Sequence, residues 1–297
     1  MAKTRPDNAD SILARLLPKA HATSNQTAPL WSPLDGQKIC DLTLSSIDDV
    51  DTAFAHARET FKTWSRYSIN ERIAIIERFH DLVLDEAETL LDIVQWENGK
   101  SRSNAMDEIL DIVLTARYYS RTAKKLLRPK RRRGAFPVVT VTHEHHHPRG
   151  VIGVISPWNY PLTLAVSDYI PALIAGNTVV TKPDIQTPLT ALAMFDLLIR
   201  AGLPQGVVHV LMGEGAELGP HVVERADFIM FTGSTRVGRE VASRAGARLI
   251  DSSMELGGKN SLIIARGEDP IRAAAVAARG AFANSGQLCI GTERVVV

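Results

Sequence analysis

The spacing of apolar residues predicts that the first 127 residues are mostly helical. Four segments carry apolar positions three and four residues apart, on one face of a helix. Ser68 and Glu71 form a capping box at the start of the second of these helices. The third is expected to end near Asn98-Gly99, where glycine follows the last apolar turn. Residues 1–30 are predicted to form a polar, loosely ordered arm.

From Gly150 onward, short apolar segments typical of strands alternate with longer segments typical of helices. The predicted strands are 151–155, 178–181, 207–211 and 228–231, and the predicted helices are 164–174, 188–201 and 236–245. Alternation at this spacing favours an α/β fold with a Rossmann-like open parallel sheet that has helices on both faces.

Residues 128–149 separate these two parts and differ from both. The segment is basic, then alternating, then rich in histidine, and its prolines and glycine exclude a helix. Period-two alternation from Val138 to His143 predicts a strand in a protruding β-ribbon. His143, His145 and His147 could share one side of it, but no Cys or Asp accompanies them. We therefore expect no metal site.

Composition narrows the class of protein further. Lys plus Arg is 34 and Asp plus Glu is 33, so the charge is balanced, and the basic run 128–133 is interpreted as a solvated turn rather than a nucleic-acid patch. Two distant cysteines, Cys40 and Cys289, fit a reducing cytoplasm. Neither a signal peptide nor a membrane-spanning run is recognised. We expect neither nucleic acid nor membrane as a partner.

Polar and glycine-rich residues follow the predicted strands, at the edge where open parallel sheets bind ligands. These segments are Ser156–Pro161, Lys182–Asp184, Gly213–Gly215 and Thr232–Ser234. Gly233 and Ser234 lead into a helix whose first N–H groups could hold a pyrophosphate. Their spacing to Gly238 is not the usual dinucleotide fingerprint, so a tight turn explains these residues equally well.

Two later segments carry reactive side chains. Glu255 precedes two glycines in Met-Glu-Leu-Gly-Gly-Lys-Asn, and Cys289 follows Gly-Gln in Asn-Ser-Gly-Gln-Leu-Cys. A carboxylate beside glycines can approach a substrate closely, and a cysteine in a polar turn is not placed like a core residue. By themselves, Glu255 could form a salt bridge and Cys289 could be a buried thiol.

Together, SPWNYP, TKPD, FTGSTRVG, MELGGKN and NSGQLC resemble, in order and spacing, the aldehyde dehydrogenase superfamily. The resemblance covers nearly the whole chain, including the Glu-Asn-Gly-Lys helix end at 97–100. Within the superfamily it is similar to bacterial succinate-semialdehyde dehydrogenases that use NADP. It implies oxidation of an aldehyde to a carboxylate through a cysteine thioester, with succinate semialdehyde as the expected substrate.

The resemblance also implies residue roles. Cys289 is the expected nucleophile and Glu255 the expected general base, while the Asn159 amide and the Cys289 backbone N–H stabilise the oxyanion. The residues expected to bind the cofactor are Trp158, Asn159, Lys182, Pro183, Asp184, Ile185, Gly233, Ser234 and Leu256. Many NAD-preferring relatives have a glutamate where this chain has Ile185, so NADP is favoured and NAD remains an alternative.

The family's catalytic domain continues beyond the point where this sequence stops. We expect four parts, a helical cofactor-domain part (1–127), an oligomerisation ribbon (128–149), a dinucleotide-binding domain (150–256) and the start of an incomplete α/β catalytic domain (257–297). The chain is therefore either the front of a working dehydrogenase, expected to be a homo-oligomer at full length, or a non-catalytic dinucleotide-binding module. Glu255 argues against a third reading, a CoA-acylating enzyme or acyl-phosphate reductase, because those reactions do not need a base for hydrolysis.

Overall fold

The computed structural model describes residues 5–136 and 139–297. Its helices are α1 (Ala9–Leu16), α2 (Ile47–Trp64), α3 (Ile69–Asp85), α4 (Ala87–Asn98), α5 (Arg102–Leu127), α6 (Tyr169–Ile174), α7 (Pro188–Arg200), α8 (Gly215–Arg225), α9 (Thr235–Ala247) and α10 (Pro270–Phe282). Its strands are β1 (Thr27–Trp31), β2 (Lys38–Thr43), β3 (Lys130–Arg132), β4 (Thr142–Glu144), β5 (Val151–Ile155), β6 (Thr178–Lys182), β7 (Val208–Val210), β8 (Phe228–Thr232), β9 (Ser252–Glu255), β10 (Asn260–Ile263) and β11 (Thr292–Val296).

A five-stranded parallel sheet organises the molecule, in the order β7-β6-β5-β8-β9. The chain adds β6 and β7 on one side of β5 and then returns to place β8 and β9 on the other side. The open parallel sheet predicted from the sequence is thus confirmed. The reversal of strand order between β5 and β8 leaves a crevice at the carboxyl edge of the sheet, where ligands bind in such folds.

Alternating residues of β5 supply the two cores that cover the sheet. Val151 and Ile155 pack on one face with residues of α2, α8 and α9. Ile152 and Val154 pack on the other face with residues of α3 to α7. Gly153 permits close approach of α8, because a Cβ there would lie 3.0 Å from Val222 Cγ1. Helices therefore cover both faces, as the alternating sequence pattern predicts.

The predicted capping box and the predicted helix end near Gly99 are confirmed, but the prediction of a loose arm is wrong. Ser68 and Glu71 form the reciprocal capping box of α3, and Gly99 ends α4 with a φ of 79°. Within residues 1–30 the structure contains α1, whose Ile12 and Leu16 are completely covered by the core. An eight-residue helix offers too few apolar positions for its period to stand out from a polar background.

Two elements after residue 130 differ from their predictions. The helix predicted for 164–174 is formed only at Tyr169–Ile174, because the apolar residues before it are buried in successive turns. A fully buried irregular segment and a buried helix have the same hydrophobicity. In the ribbon, β4 is Thr142–Glu144 and pairs antiparallel with β3, so the strand predicted for 138–143 is shifted; Val138 lies outside the described residues.

Residues 257–297 differ from the rest of the structure in their burial. Strands β10 and β11 pair in parallel beside α10, which is an α/β arrangement. In this range only Ala273, Asn284 and Gly291 are buried, whereas Ile271 and Phe282 are 82% and 75% exposed. This unit therefore has almost no core of its own. In the described residues no helix is long and apolar enough to cross a membrane.

Three histidines meet where β7 packs against α2. The ring of His209 lies 5.1 Å from that of His21 and 6.0 Å from that of His56, measured between centroids. Burial, followed by the two neighbouring imidazoles, lowers the pKa of His209 to about 4. Burial also lowers the pKa of His21, although the Asp49 carboxylate opposes this. The folded protein therefore keeps His209 neutral at pH values where an unfolded chain would protonate it.

We expect stability to fall as the solution is acidified from about pH 6.5 towards pH 4, because protons bind His209 in the unfolded state first. Replacing His209 by Gln should remove on the order of 1–3 kcal/mol of this pH-dependent loss. Urea unfolding between pH 7.5 and 4.5 measures it, with His143→Gln on the exposed ribbon as the control. An equally steep loss in wild type and His209→Gln would contradict the assignment.

Candidate active site

A cavity of about 740 Å³ lies at the carboxyl edge of the sheet, where the strand order reverses. The segments that follow β5, β6, β8 and β9 line it, together with one side of α8 and one side of α9. Parallel strands bring their carboxyl ends to one edge, so residues distant in sequence meet there. The loop that precedes β11 closes one side of the cavity with Gln287 and Cys289.

Most of the residues selected from the sequence open into this one cavity. Those that line it are Trp158, Asn159, Lys182, Asp184, Gly233, Ser234, Glu255, Leu256 and Cys289. Pro183 and Ile185 are absent from the lining. Pro183 is buried beneath it, and Ile185 packs against the large core on the α7 side of the sheet. The three residues expected to act in catalysis are thus brought together.

The loop before Cys289 has an unusual backbone. Asn284, Ser285 and Gly286 have φ angles of 51°, 58° and 77°, so three consecutive residues adopt the left-handed conformation. Asparagine and glycine tolerate this region better than most residues, whereas serine pays a steric cost. Such a tight turn reverses the chain directly after α10, and it leaves Cys289 exposed at the cavity wall.

Hydrogen bonds join this loop to the segment that follows β5. The Asn284 amide Nδ2 donates to the carbonyl oxygens of Asn159 and Gln287, at 3.0 and 3.1 Å. The Asn159 amide Nδ2 donates to Gln287 O at 3.0 Å. Asn284 is 1% exposed, so it is a structural link that the sequence reasoning missed. These hydrogen bonds fix the Asn159 side chain against Gln287, which is two residues before Cys289.

Glu255 enters the same cavity from the other side. It is the last residue of β9 and pairs with Thr232 at the end of β8. The glycines that follow it allow the chain to pass close to the cysteine loop, because a Cβ on Gly258 would lie 3.4 Å from Cys289 O. Burial and then the charge of Glu255 raise the pKa of Asp168 to about 6. A carboxylate, a thiol and a carboxamide thus share one crevice.

The other end of the cavity has the chemistry of an anion site. Lys182 is 3% exposed, and its ammonium has, among the described residues, one hydrogen bond, to Pro183 O at 2.9 Å. Burial lowers the pKa of Lys182. Its Nζ lies 3.7 Å from where a Cβ of Gly215 would stand, at the first turn of α8. A buried ammonium with unused donors beside a helix N-terminus favours an anionic ligand.

The start of α9 has a second set of free donors. Ser234 caps this helix by accepting from Val237 N at 3.3 Å, and the first N–H groups of any helix have no acceptor within it. A Cβ on Gly233 would lie 2.6 Å from the Phe231 ring, and one on Gly238 would clash with the Leu256 side chain. The two glycines therefore let the turn and the helix approach the cavity floor. This cradle fits a pyrophosphate.

The end of α4 contains further site residues to which the sequence analysis assigned no role. Asn98 Nδ2 donates to Trp158 O at 2.8 Å, and Lys100 Nζ donates to Asn159 O at 2.8 Å. Glu97 is buried and accepts from Thr190 N at 2.8 Å, at the start of α7. Burial raises the pKa of Glu97 to about 8. The run of polar residues at the end of this otherwise buried helix is the sequence feature that could have indicated a role in the site.

A metal site needs several ligating side chains close together. The described ranges 5–136 and 139–297 contain no group of three or more His, Cys, Asp or Glu side chains that could hold a metal ion. The ribbon histidines at 143, 145 and 147 lie in a row, with ring centroids 6.1 and 6.3 Å apart. The lining of the crevice offers a thiol, a carboxylate, a carboxamide and the buried ammonium of Lys182.

Known proteins are similar to this chain in both sequence and structure. A protein of Mycolicibacterium smegmatis named "Putative succinate-semialdehyde dehydrogenase (NADP(+))" is 49% identical over 92% of this chain and 53% of its own length. A similarly named protein of Mycobacterium ulcerans is 45% identical over 88% of this chain and 51% of its own length. The chain thus spans about half the length of these curated relatives.

Solved structures agree with this likeness. The crystal structure of succinate-semialdehyde dehydrogenase from Burkholderia pseudomallei superposes with a TM-score of 0.88 at 28% identity, covering 92% of this chain and 57% of that one. An NAD-dependent benzaldehyde dehydrogenase from Corynebacterium glutamicum gives 0.86 at 33% identity, covering 92% and 60%. The sequence profile of the aldehyde dehydrogenase family matches residues 20–297. Because this match includes nearly the whole chain, the protein belongs to the aldehyde dehydrogenase family.

Proposed function

We propose that this chain is the cofactor-binding and nucleophile-bearing part of an NAD(P)-dependent dehydrogenase that oxidises succinate semialdehyde to succinate. One observation carries the proposal: Cys289, Glu255 and Asn159 open into the same cavity as Lys182 and the Gly233 turn. The names of the mycobacterial relatives support the substrate and a preference for NADP. The benzaldehyde enzyme supports NAD as the alternative cofactor.

Each of the three crevice residues has a separate role in the proposed reaction. The Cys289 thiolate adds to the aldehyde carbon, and the Asn159 amide with the Cys289 backbone N–H stabilises the oxyanion that forms. A bound nicotinamide dinucleotide supplies the electron acceptor for this oxidation. Glu255 then takes a proton from water, which attacks the resulting thioester and releases the acid. The left-handed turn at 284–286 lies three residues before Cys289, which lines this crevice.

The cofactor roles follow from the two anion sites. Gly233, Ser234 and the first turn of α9 would hold the pyrophosphate. Lys182 would contact the adenosine ribose, with Pro183, Asp184 and Ile185 completing that turn, while Trp158 and Leu256 would line the nicotinamide side. No carboxylate stands at Ile185 to repel a 2′-phosphate, so Lys182 can pair with one.

The parts of the chain would then have separate tasks. Residues 1–127 and 150–256 form the cofactor domain, and residues 257–297 begin the catalytic domain. Residues 128–149 would serve as the ribbon through which the full-length protein forms a homo-oligomer. Sparse cysteine use supports a cytoplasmic location.

A second candidate function is a dinucleotide-binding module without turnover. It is supported by the anion site at Lys182 and the turn at Gly233 and Ser234, which is complete without any residue after 257. The two candidates share the cofactor site and differ in whether an aldehyde is oxidised.

Rapid mixing of the purified chain with NADP and succinate semialdehyde separates them. A dehydrogenase should release about one NADPH per Cys289 and then turn over, while Glu255→Gln should retain this first release and lose steady-state rate by roughly 100-fold or more. Cys289→Ser should abolish both phases. Binding of NADP without any NADPH would support the module, and failure to bind either dinucleotide would overturn both candidates.

The cofactor preference predicts the effect of restoring a carboxylate. Ile185→Glu should weaken NADP relative to NAD by roughly three- to tenfold, because a carboxylate at this half-buried position, next to the Lys182 and Asp184 that line the cavity, would bring a negative charge near the 2′-phosphate. Ile185→Gln, which has similar size and no charge, is the control. Dissociation constants follow from quenching of tryptophan fluorescence, since Trp158 lines the cavity. An unchanged ratio of the two constants would rule out this position as a selectivity determinant.

A further inference from the structure

The segment 156–168, which connects β5 to α6, carries Asn159 although it has no regular secondary structure. A backbone of this kind needs other partners for its N–H and C=O groups. A buried ion pair between Lys100, just after α4, and Glu108 in α5 supplies several of them. The two side chains are 2% and 0% exposed, and Lys100 Nζ lies 2.5 Å from Glu108 Oε1.

Each member of the pair also holds the segment directly. Lys100 Nζ donates to Asn159 O at 2.8 Å and lies 4.1 Å from the centroid of the Tyr160 ring. Glu108 Oε2 accepts from Leu162 N and Thr163 N, at 2.7 and 3.1 Å. The pair therefore holds the segment at two points, the carbonyl of Asn159 and the amides of Leu162 and Thr163.

The position of the Asn159 side chain depends on this anchoring. The Asn159 backbone carbonyl accepts from Lys100 and Asn284, while the side-chain amide Nδ2 donates to Gln287 O, in the loop that ends at Cys289. An oxyanion donor acts only if it is held where the charge will develop. A shift of its peptide by a fraction of an ångström would turn the amide away from that point.

We propose that Lys100 and Glu108 are positioning residues for Asn159, and that they act on the oxyanion donor without contacting the substrate. This rests on the proposed role of Asn159 in aldehyde addition. Burial lowers the pKa of Lys100 and raises that of Glu108, and each charge opposes the effect on its partner. An apolar pair would fill the space but would offer no directed bonds to the segment.

The test compares two reactions of Cys289 in the 297-residue chain. Alkylation by iodoacetamide displaces iodide and forms no oxyanion, whereas addition to succinate semialdehyde forms one. The rate of alkylation without aldehyde measures the reactivity of the thiol itself. The concentration of aldehyde needed to protect the thiol measures how well the oxyanion donors stabilise the adduct. Mass spectrometry of the peptide that contains Cys289 measures both.

The variant is Lys100→Met with Glu108→Gln, which keeps an acceptor oxygen for Leu162 N and Thr163 N and leaves no buried charge. We expect unchanged alkylation without aldehyde, and protection that needs about 10- to 100-fold more aldehyde. Lys62→Met with Glu59→Gln removes an exposed ion pair on α2 by the same two substitutions and serves as the control. It should behave as wild type in both reactions.

Combination with Asn159→Ala distinguishes positioning from general support of the fold. If the pair acts through Asn159, the triple variant should need no more aldehyde than Asn159→Ala alone. Independent effects that multiply, or normal protection in the Lys100→Met/Glu108→Gln protein, would overturn the proposal. Normal protection in Asn159→Ala would instead remove the proposed oxyanion role.

Hydrogen exchange of the peptide covering residues 158–163 gives a readout that needs no aldehyde. The Lys100→Met/Glu108→Gln protein should exchange this peptide at least about tenfold faster than the α2 control, with other peptides unchanged. Exchange equal to that of the control would reject the positioning role, whatever the aldehyde experiments show. Absence of protection by aldehyde in the wild-type chain would instead count against the proposed function.

Discussion

The parallel sheet and the reversal of its strand order are the constraint on which the rest of the structure depends. β5 must be covered on both faces, so its alternate residues join two different cores, and every residue of the strand is buried. Once β8 lies beside β5, the segments leaving β5, β6, β8 and β9 must end at the same edge. The backbone groups there have no further strand to pair with, and this leaves donors free for a ligand.

Polar side chains buried behind this edge hold the irregular segments that the sheet does not. Glu97 ties α4 to the start of α7, while Asn98 and Lys100 hold the carbonyls of Trp158 and Asn159. Such groups are costly to bury unless their partners are fixed, and here the partners are backbone groups of the crevice wall. The helical first part of the chain thus supports the site, although none of its described residues lines the cavity.

The two walls of the crevice differ in how they are supported. The cofactor side rests on two large cores, whereas the cysteine loop belongs to residues 257–297, in which only Ala273, Asn284 and Gly291 are buried. Its attachment to the rest of the molecule depends on directed hydrogen bonds, from Asn284 to Asn159 O and from Asn159 to Gln287 O. The same amide that would stabilise an oxyanion therefore also holds the nucleophile's loop in place.

Much of the fold could be predicted from local sequence, because capping pairs, apolar periods and strand–helix alternation act over a few residues. The α3 capping box, the end of α4 at Gly99 and the strands β5, β6 and β8 were all recognisable in this way. Local pattern failed at α1, at the turns before α6 and at β9, whose mixed burial hides its strand character. The order of the motifs identified Cys289, Glu255 and Asn159 as candidates. That they line one cavity, and that Lys100, Glu108 and Asn284 support it, depends on contacts between residues far apart in the chain. Such contacts leave no periodic signal, so only the tertiary structure could reveal them.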